Sequence, residues 1–141
     1  MPFARARLIR ALCCFVLRME ITEPHGSRFE LALELFQDGR AFTFDDVGFW
    51  LAPDGALEVR VQTSWYRENV TEQTALNDLE RAKNLADFLE RASPEFASLV
   101  KDRPRRYVLV DDYKMGGIEL CRLIDGSLFW SKGFPMIKGT T

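Results

Sequence analysis

Acidic side chains are the first residues of this chain whose type and spacing could support chemistry. Paired carboxylates can bind Mg²⁺ or Ca²⁺, or share a proton in acid–base catalysis. The chain offers one such group: Asp45, Asp46, Asp111, Asp112 and Glu119. Adjacent residues of a strand point to opposite faces, so neither Asp–Asp pair can chelate as a unit outside a turn. The acids therefore predict solvated strand ends, and no metal site is predicted.

Nucleophilic catalysis has little support in the sequence. His25 is the single histidine and stands in a loop between Pro24 and Gly26. Ser27 and Ser64 are candidate hydroxyls, but the G-x-S-x-G pattern of a nucleophile elbow is absent. The glycines at 116 and 117 lack the spacing of a phosphate-binding loop and predict a turn.

Cysteine usage indicates a reducing compartment. Cys13 and Cys14 are adjacent, Cys121 is distant, and zinc-site spacing with a second histidine is absent. Reduced, buried thiols in a cytosolic protein are the simplest interpretation. We therefore expect a cytoplasmic protein without a cofactor.

Large aromatic residues suggest an interface. The chain has 11 Phe, which predict a ring-filled core. Trp and Tyr are favoured anchors of protein interfaces, although they also pack in cores. Several stand at or near predicted strand ends, so the interface candidates, together with the acidic pair beside them, are Trp50, Trp65, Tyr66, Tyr113, Trp130, Asp45 and Asp46.

The charge of the chain is divided unevenly. The formal net charge is -2, but residues 1–18 hold four arginines and no acid. The remainder then carries 15 basic and 21 acidic residues. An acidic body argues against nucleic acid, whose phosphates require a basic face. It suits a basic protein partner.

Residues 1–18 allow two interpretations. Their arginines and a short apolar run imitate a signal peptide, but the run has seven residues, is interrupted by Arg18 and is too short for a membrane span. The segment is either a short helix that leads into a strand over 15–21, or an extension upstream of a true start at Met19. Neither interpretation involves a membrane.

One amphipathic helix is predicted over 74–92. Its apolar residues recur at spacings of three or four and form one stripe, which must be buried. Asn69 or Thr71 could cap its start. Ser93 and Pro94 end this helix and predict a second, shorter one that Pro104 terminates.

The segments on either side predict β structure. Phe29, Leu31, Leu33 and Leu35 alternate with other residues at a period of two, and the turn at 37–39 suggests a hairpin, although helix is the rival interpretation. Residues 28–66 thus predict a first meander of about four strands. A second meander is predicted over 105–132, with Asp125-Gly126 as a hairpin turn.

The predicted fold class is α+β, in one domain over 1–141. Two antiparallel meanders form a twisted sheet, and one long and one short helix cover one face of it. The uninterrupted pattern contains no repeat or linker.

Two main functional hypotheses follow. The first is a non-enzymatic, acidic protein-binding domain, such as an inhibitor or immunity-type protein that acts on a basic partner. The alternative is a small-ligand-binding or enzymatic domain with a Phe-rich pocket between helix and sheet. Its ligand candidates are Arg60, Asp112 and His25. A third hypothesis is a homodimer formed through sheet edges.

Overall fold

Residues 19–65, 69–111 and 118–131 are described by a computed structural model of the chain. Three helices are found among them: α1 (Ser27–Gln37), α2 (Glu72–Ala92) and α3 (Pro94–Val100). Seven strands form the sheet: β1 (Met19–Ile21), β2 (Phe42–Phe44), β3 (Val47–Leu51), β4 (Leu57–Gln62), β5 (Arg105–Asp111), β6 (Ile118–Ile124) and β7 (Ser127–Trp130). The mixture of helices and sheet confirms the α+β class in its coarse form.

The sheet is mixed, and its strands follow one another in chain order. Strands β2 to β4 form one antiparallel meander and β5 to β7 form another. Two meanders were predicted, but the first has three strands in place of about four. The pairs β1–β2 and β4–β5 are parallel, so the expectation of a purely antiparallel sheet is wrong. A helical crossover separates the strands of each parallel pair. It returns the chain to the end of the sheet where the preceding strand began, so the next strand runs in the same direction.

Residues Ser27–Gln37 form helix α1 and not the strand that was predicted at the start of the first meander, so the described residues contain three helices where one long and one short helix were predicted. The buried residues of α1 are Phe29, Ala32, Leu33 and Phe36, which have helical spacing, whereas Leu31 is 45% exposed. Helix-forming Leu, Glu and Ala outweigh the apparent period of two.

The predicted hairpin turn at 37–39 is the C-terminus of α1. Gly39 has a φ of 89°. Its N–H donates to the carbonyl oxygen of Phe36 at 3.0 Å, and the N–H of Arg40 donates to the carbonyl oxygen of Leu35 at 2.8 Å. This is a Schellman motif, in which glycine takes the left-handed position after the helix.

The helix predicted over 74–92 is confirmed and begins two residues earlier. Thr71 is its N-cap: the Thr71 hydroxyl accepts from the N–H of Thr74 at 3.2 Å, and the Thr74 hydroxyl accepts from the N–H of Thr71 at 2.9 Å. Ser93 caps α3 in the same manner, since its hydroxyl accepts from the N–H of Phe96 at 3.1 Å. The start of α3 at Pro94 also agrees with the sequence.

The three helices pack on one face of the sheet. Rings from α1 and α3 contact Phe42 and Phe49 of the first meander, with centroids 5.2 to 6.2 Å apart. These rings are almost completely buried. Among the described residues, no helix combines the length and apolar content needed to cross a membrane.

Candidate functional site

A surface groove of about 550 Å³ lies between α1 and α3. Most of the surface that lines it is apolar. The lining side chains come from both helices: Glu30, Leu33, Glu34 and Gln37 from α1, and Pro94, Glu95, Ser98 and Leu99 from α3. In α1 these positions are three or four residues apart, so they form one stripe along the helix beside its buried stripe.

Two buried rings fix the spacing of the helices that form the groove. Phe36 of α1 stacks on Phe96 of α3 with centroids 5.8 Å apart and an interplanar angle of 23°. Both rings are fully buried. Buried aromatic pairs of this kind pack rigidly, so the two helices that form the groove keep a fixed spacing.

The groove combines an apolar floor with an acidic rim. Leu33 is buried and Leu99 is half-buried, whereas Glu30, Glu34 and Glu95 are exposed. These three carboxylates are the charged side chains among the described residues that line the groove. Such a surface favours a ligand that has both apolar and cationic groups.

The helical layer as a whole is acidic. Residues 27–38 and 72–100, which contain the three helices, have nine acidic and four basic residues. The remaining described residues contain ten acidic and seven basic residues. The acidity therefore extends over the described body, and the helical layer has a net excess of five acidic residues. Lys101, Arg103 and Arg105 lie beside α3 in a second cleft, where they offset part of this excess.

The second face of the sheet carries a matched network of charges. The buried carboxylate of Glu58, on β4, accepts from Nε of Arg60 at 2.8 Å and from Nε of Arg106 at 2.9 Å. Arg106 also donates to Asp54 at 2.7 Å, and Arg122 pairs with Glu119 on β6.

The neighbouring charges of this network stabilise one another. The hydrogen bond from Arg106 lowers the pKa of Asp54, and the hydrogen bonds with Asp54 and Glu58 raise the pKa of Arg106 against the effect of burial. The network thus joins neighbouring strands, and its charges are paired internally.

A second ion-pair cluster joins the sheet to α2. Arg105, on β5, contacts Asp87 at 3.6 Å and also pairs with Glu90. Burial acts to lower the pKa of Arg105, but hydrogen bonds with Tyr107 and Glu90 outweigh it and raise the pKa. Burial also raises the pKa of Tyr107. These partners hold α2 against the sheet.

Several predicted interface residues lie at the end of the sheet where β4 terminates. Val47 pairs with Val61, which places the Asp45–Asp46 turn beside the residues that follow β4. Both aspartates are exposed and have a positive φ, 51° and 64°, as a two-residue hairpin turn requires. Trp65, which follows β4, is 53% exposed at the same end of the sheet.

A buried carboxylate positions the segment that carries Trp65. Asp78 of α2 accepts from the N–H of Ser64 at 3.0 Å and from its hydroxyl at 2.8 Å. The N–H of Trp65 donates in turn to the hydroxyl of Thr63 at 3.2 Å. The exposed indole therefore follows a segment that is tied to the helix.

The other predicted interface residues have different surroundings. Trp50 is half-buried, and its indole Nε1 donates to the carbonyl of Gly39 at 2.9 Å. Trp130 is half-buried and packs against the core. Tyr66 and Tyr113 lie outside the described residues.

The predicted ligand residues are not brought together. His25 is exposed in the cleft beside the start of α1. Arg60 lies on β4, three strands from β1 in the sheet, and pairs with Glu58. Asp112 lies outside the described residues.

The groove residues are functional candidates that the sequence reasoning missed. Glu30, Leu33 and Glu34 were placed in a strand, which would have put Leu33 on the opposite face from its two neighbours. The signal that could have found them is the helical spacing from Phe29 to Phe36, read with the Leu- and Glu-rich composition.

In the part of the chain that the structure describes, no group of three or more His, Cys, Asp or Glu side chains could hold a metal ion. Comparison of the chain with protein-family models finds no matching family, and comparisons with curated proteins and with solved structures find no match either.

Proposed function

We propose that this chain is a non-enzymatic, acidic protein-binding domain that acts on a basic partner, in the manner of an inhibitor or immunity-type protein. The observation that carries the proposal is the excess of acidic residues in the helical layer, nine against four basic, which persists although Asp78 is buried and Asp87 and Glu90 share Arg105. Complementary charge guides association and selects partners, whereas area alone does not.

The end of the sheet that carries Trp65 supplies a second kind of contact. A tryptophan that is 53% exposed can be buried by a partner, and tryptophan is among the commonest anchors of binding energy. Asp45 and Asp46 lie at the same end of the sheet. An aromatic anchor beside acidic groups suits a partner with basic side chains.

The arrangement of the interior supports binding at the surface over a pocket inside. The space between α1, α3 and the first meander is filled by rings, among them Phe42 stacked on Phe49 at 5.2 Å and Phe36 stacked on Phe96. A packed core of this kind favours the protein-binding proposal over an enclosed small-molecule site.

The test is capture of a partner by the tagged full chain from a lysate of the source organism, at low and high salt, with mass spectrometry. We expect one basic protein to be retained at low salt and released at high salt, because exposed charge pairs are screened. Retention of an acidic protein, or retention that salt does not change, would argue against the proposal.

Two variants then test whether the end of the sheet that carries Trp65 contributes to partner binding. Trp65→Ala removes the exposed indole, and the double variant Asp45→Asn, Asp46→Gly removes both charges while keeping residues that suit the turn. We expect each to weaken capture. Asp125→Asn removes one charge at the two-residue turn between β6 and β7, serves as the control for charge removal at a turn, and should leave capture unchanged.

A further inference from the structure

The groove between α1 and α3 has the shape and charge of a helix-binding site. It is formed by two neighbouring helices whose lining residues follow helical spacing, at 30, 33, 34 and 37 on α1. An added helix would pack its side chains between these ridges, as helices do in bundles and in groove-binding peptides.

The side chains of the groove define what that helix must carry. Leu33 and Leu99 offer an apolar floor for a large apolar side chain. Glu30 and Glu34 border the floor on one side and Glu95 on the other, so cationic side chains that flank the apolar one would meet a carboxylate on either side. A purely apolar peptide would offer these carboxylates no cationic partner.

The volume and the fixed helix spacing set the scale of the contact. The groove has a volume of about 550 Å³, which leaves room for side chains of a docked helix, and the Phe36–Phe96 stack keeps α1 and α3 in place. Because the spacing of the two helices is fixed, binding would require little reorganisation of this chain.

We infer that the groove between α1 and α3 binds a basic amphipathic helix of the partner, with one large apolar side chain on the floor and cationic side chains against Glu30, Glu34 and Glu95. This inference rests on the proposed function and specifies the partner element that the acidic layer recognises.

The probe for a direct test is a fluorescein-labelled 14-residue peptide of alternating Lys and Leu blocks, designed to form an amphipathic helix, with a Glu/Leu peptide of the same pattern as control. Ser98 lines the groove and is exposed, so Ser98→Trp fills the groove without removing a buried side chain. We expect fluorescence anisotropy to show binding of the Lys/Leu peptide alone and a loss of at least about tenfold in affinity for Ser98→Trp. The variant Ser98→Ala should match the unmodified chain.

Charge-matched variants separate the groove from the general acidity of the chain. The triple variant E30Q/E34Q/E95Q removes three carboxylates at the groove, and E23Q/E72Q/E80Q removes three exposed carboxylates elsewhere. We expect the first triple variant to lose at least about tenfold more affinity for the Lys/Leu peptide than the second does. Equal effects of the two triple variants, or normal binding by Ser98→Trp, would overturn the inference.

Capture of the natural partner distinguishes failure of the groove from failure of the proposed function. If Ser98→Trp retains the partner as well as the unmodified chain does, the groove inference is overturned and the proposed function stands. If no basic partner is retained by any form of the chain, the proposed function fails. A photo-cross-linking residue at position 98 should join to the partner, whereas the same residue at the exposed Asn84 should not. Cross-links from position 98 to residues 1–18 of the same chain would overturn the inference, because the groove would be filled from within.

Discussion

The rings of Phe36 and Phe96 stack 5.8 Å apart and join α1 to α3, the two helices that form the acidic groove. Phe96 also meets Phe42 and Phe49 of the sheet edge-to-face, so one ring connects both helices to the first meander. The groove therefore depends on a contact between two elements that lie 60 residues apart in the chain.

Replacement of the central ring should be costly. We expect Phe96→Ala to lower the free energy of unfolding by about 3–5 kcal/mol, because it removes a fully buried ring and leaves a cavity. Urea denaturation followed by circular dichroism measures this loss. Phe88→Ala, which removes a ring that is 41% exposed, is the control and should cost clearly less. Equal losses would contradict the central position of Phe96.

The hydrogen bonds between Asp78 and Ser64 predict which of two variants loses more stability. Asp78→Ala should lower the free energy of unfolding by about 1–3 kcal/mol, because the N–H and the hydroxyl of Ser64 both lose their acceptor. Ser64→Ala removes the hydroxyl alone and should cost about 0.5–1.5 kcal/mol. Thermal and urea denaturation of both variants would show the order, and a larger loss for Ser64→Ala would argue against the assigned contacts.

The pairing of Asp54 with Arg106 makes stability depend on pH in the acid range. Because the hydrogen bond from Arg106 lowers the pKa of Asp54 below 3.8 in the folded chain, the ion pair stabilises the fold above the unfolded pKa. That contribution is lost as pH falls through the folded pKa. We expect the difference in unfolding free energy between the unmodified chain and Asp54→Asn to shrink from pH 5 toward pH 3. A difference that stays constant would contradict the pairing.

The thiol of Cys121 should be unreactive in the folded chain. Cys121 is fully buried opposite Leu109, and burial raises its pKa to about 12. The thiolate is the reactive form, so iodoacetamide at pH 8 should label it slowly. The measurement uses a chain with Cys13 and Cys14 replaced by Ser and mass spectrometry with and without denaturant. Labelling at the unfolded rate in native buffer would contradict the burial of this thiol.

The strands and the long helix could be predicted because their signals are local. The alternation of Leu57, Val59 and Val61 and the apolar stripe of α2 each specify an element without reference to the rest of the chain. The caps at Thr71 and Ser93 are equally local, since the side chain and the N–H that it accepts from are three residues apart.

The first helix could not be separated from a strand on periodicity alone. Over Phe29 to Phe36, apolar residues occupy most positions, so a period of two and a period of 3.6 both find matches. Gly39 added to the error, because a glycine after a polar pair suits a hairpin turn and a Schellman motif alike. The two parallel pairs followed from the helical crossovers, one of which was missing from the prediction.

The groove could not be predicted from the sequence, because the residues of α1 were predicted to form a strand. Its acidic rim combines Glu30 and Glu34 with Glu95, which lies more than 60 residues away in the chain. Two helices must be docked by the packing of Phe36 on Phe96 before these carboxylates share a surface. Composition indicated an acidic body, but the location of the acidic layer depends on tertiary structure.

The most direct test of the acidic-binder proposal is a salt series of partner capture by the unmodified chain and by E30Q/E34Q/E95Q, with E23Q/E72Q/E80Q as the matched control. We expect the amount of captured basic partner to fall as salt rises, and the groove variant to capture less and to depend less on salt than the control does. Capture that is equal for all three chains and unchanged by salt would contradict the claim that the acidic helical layer recognises a basic partner.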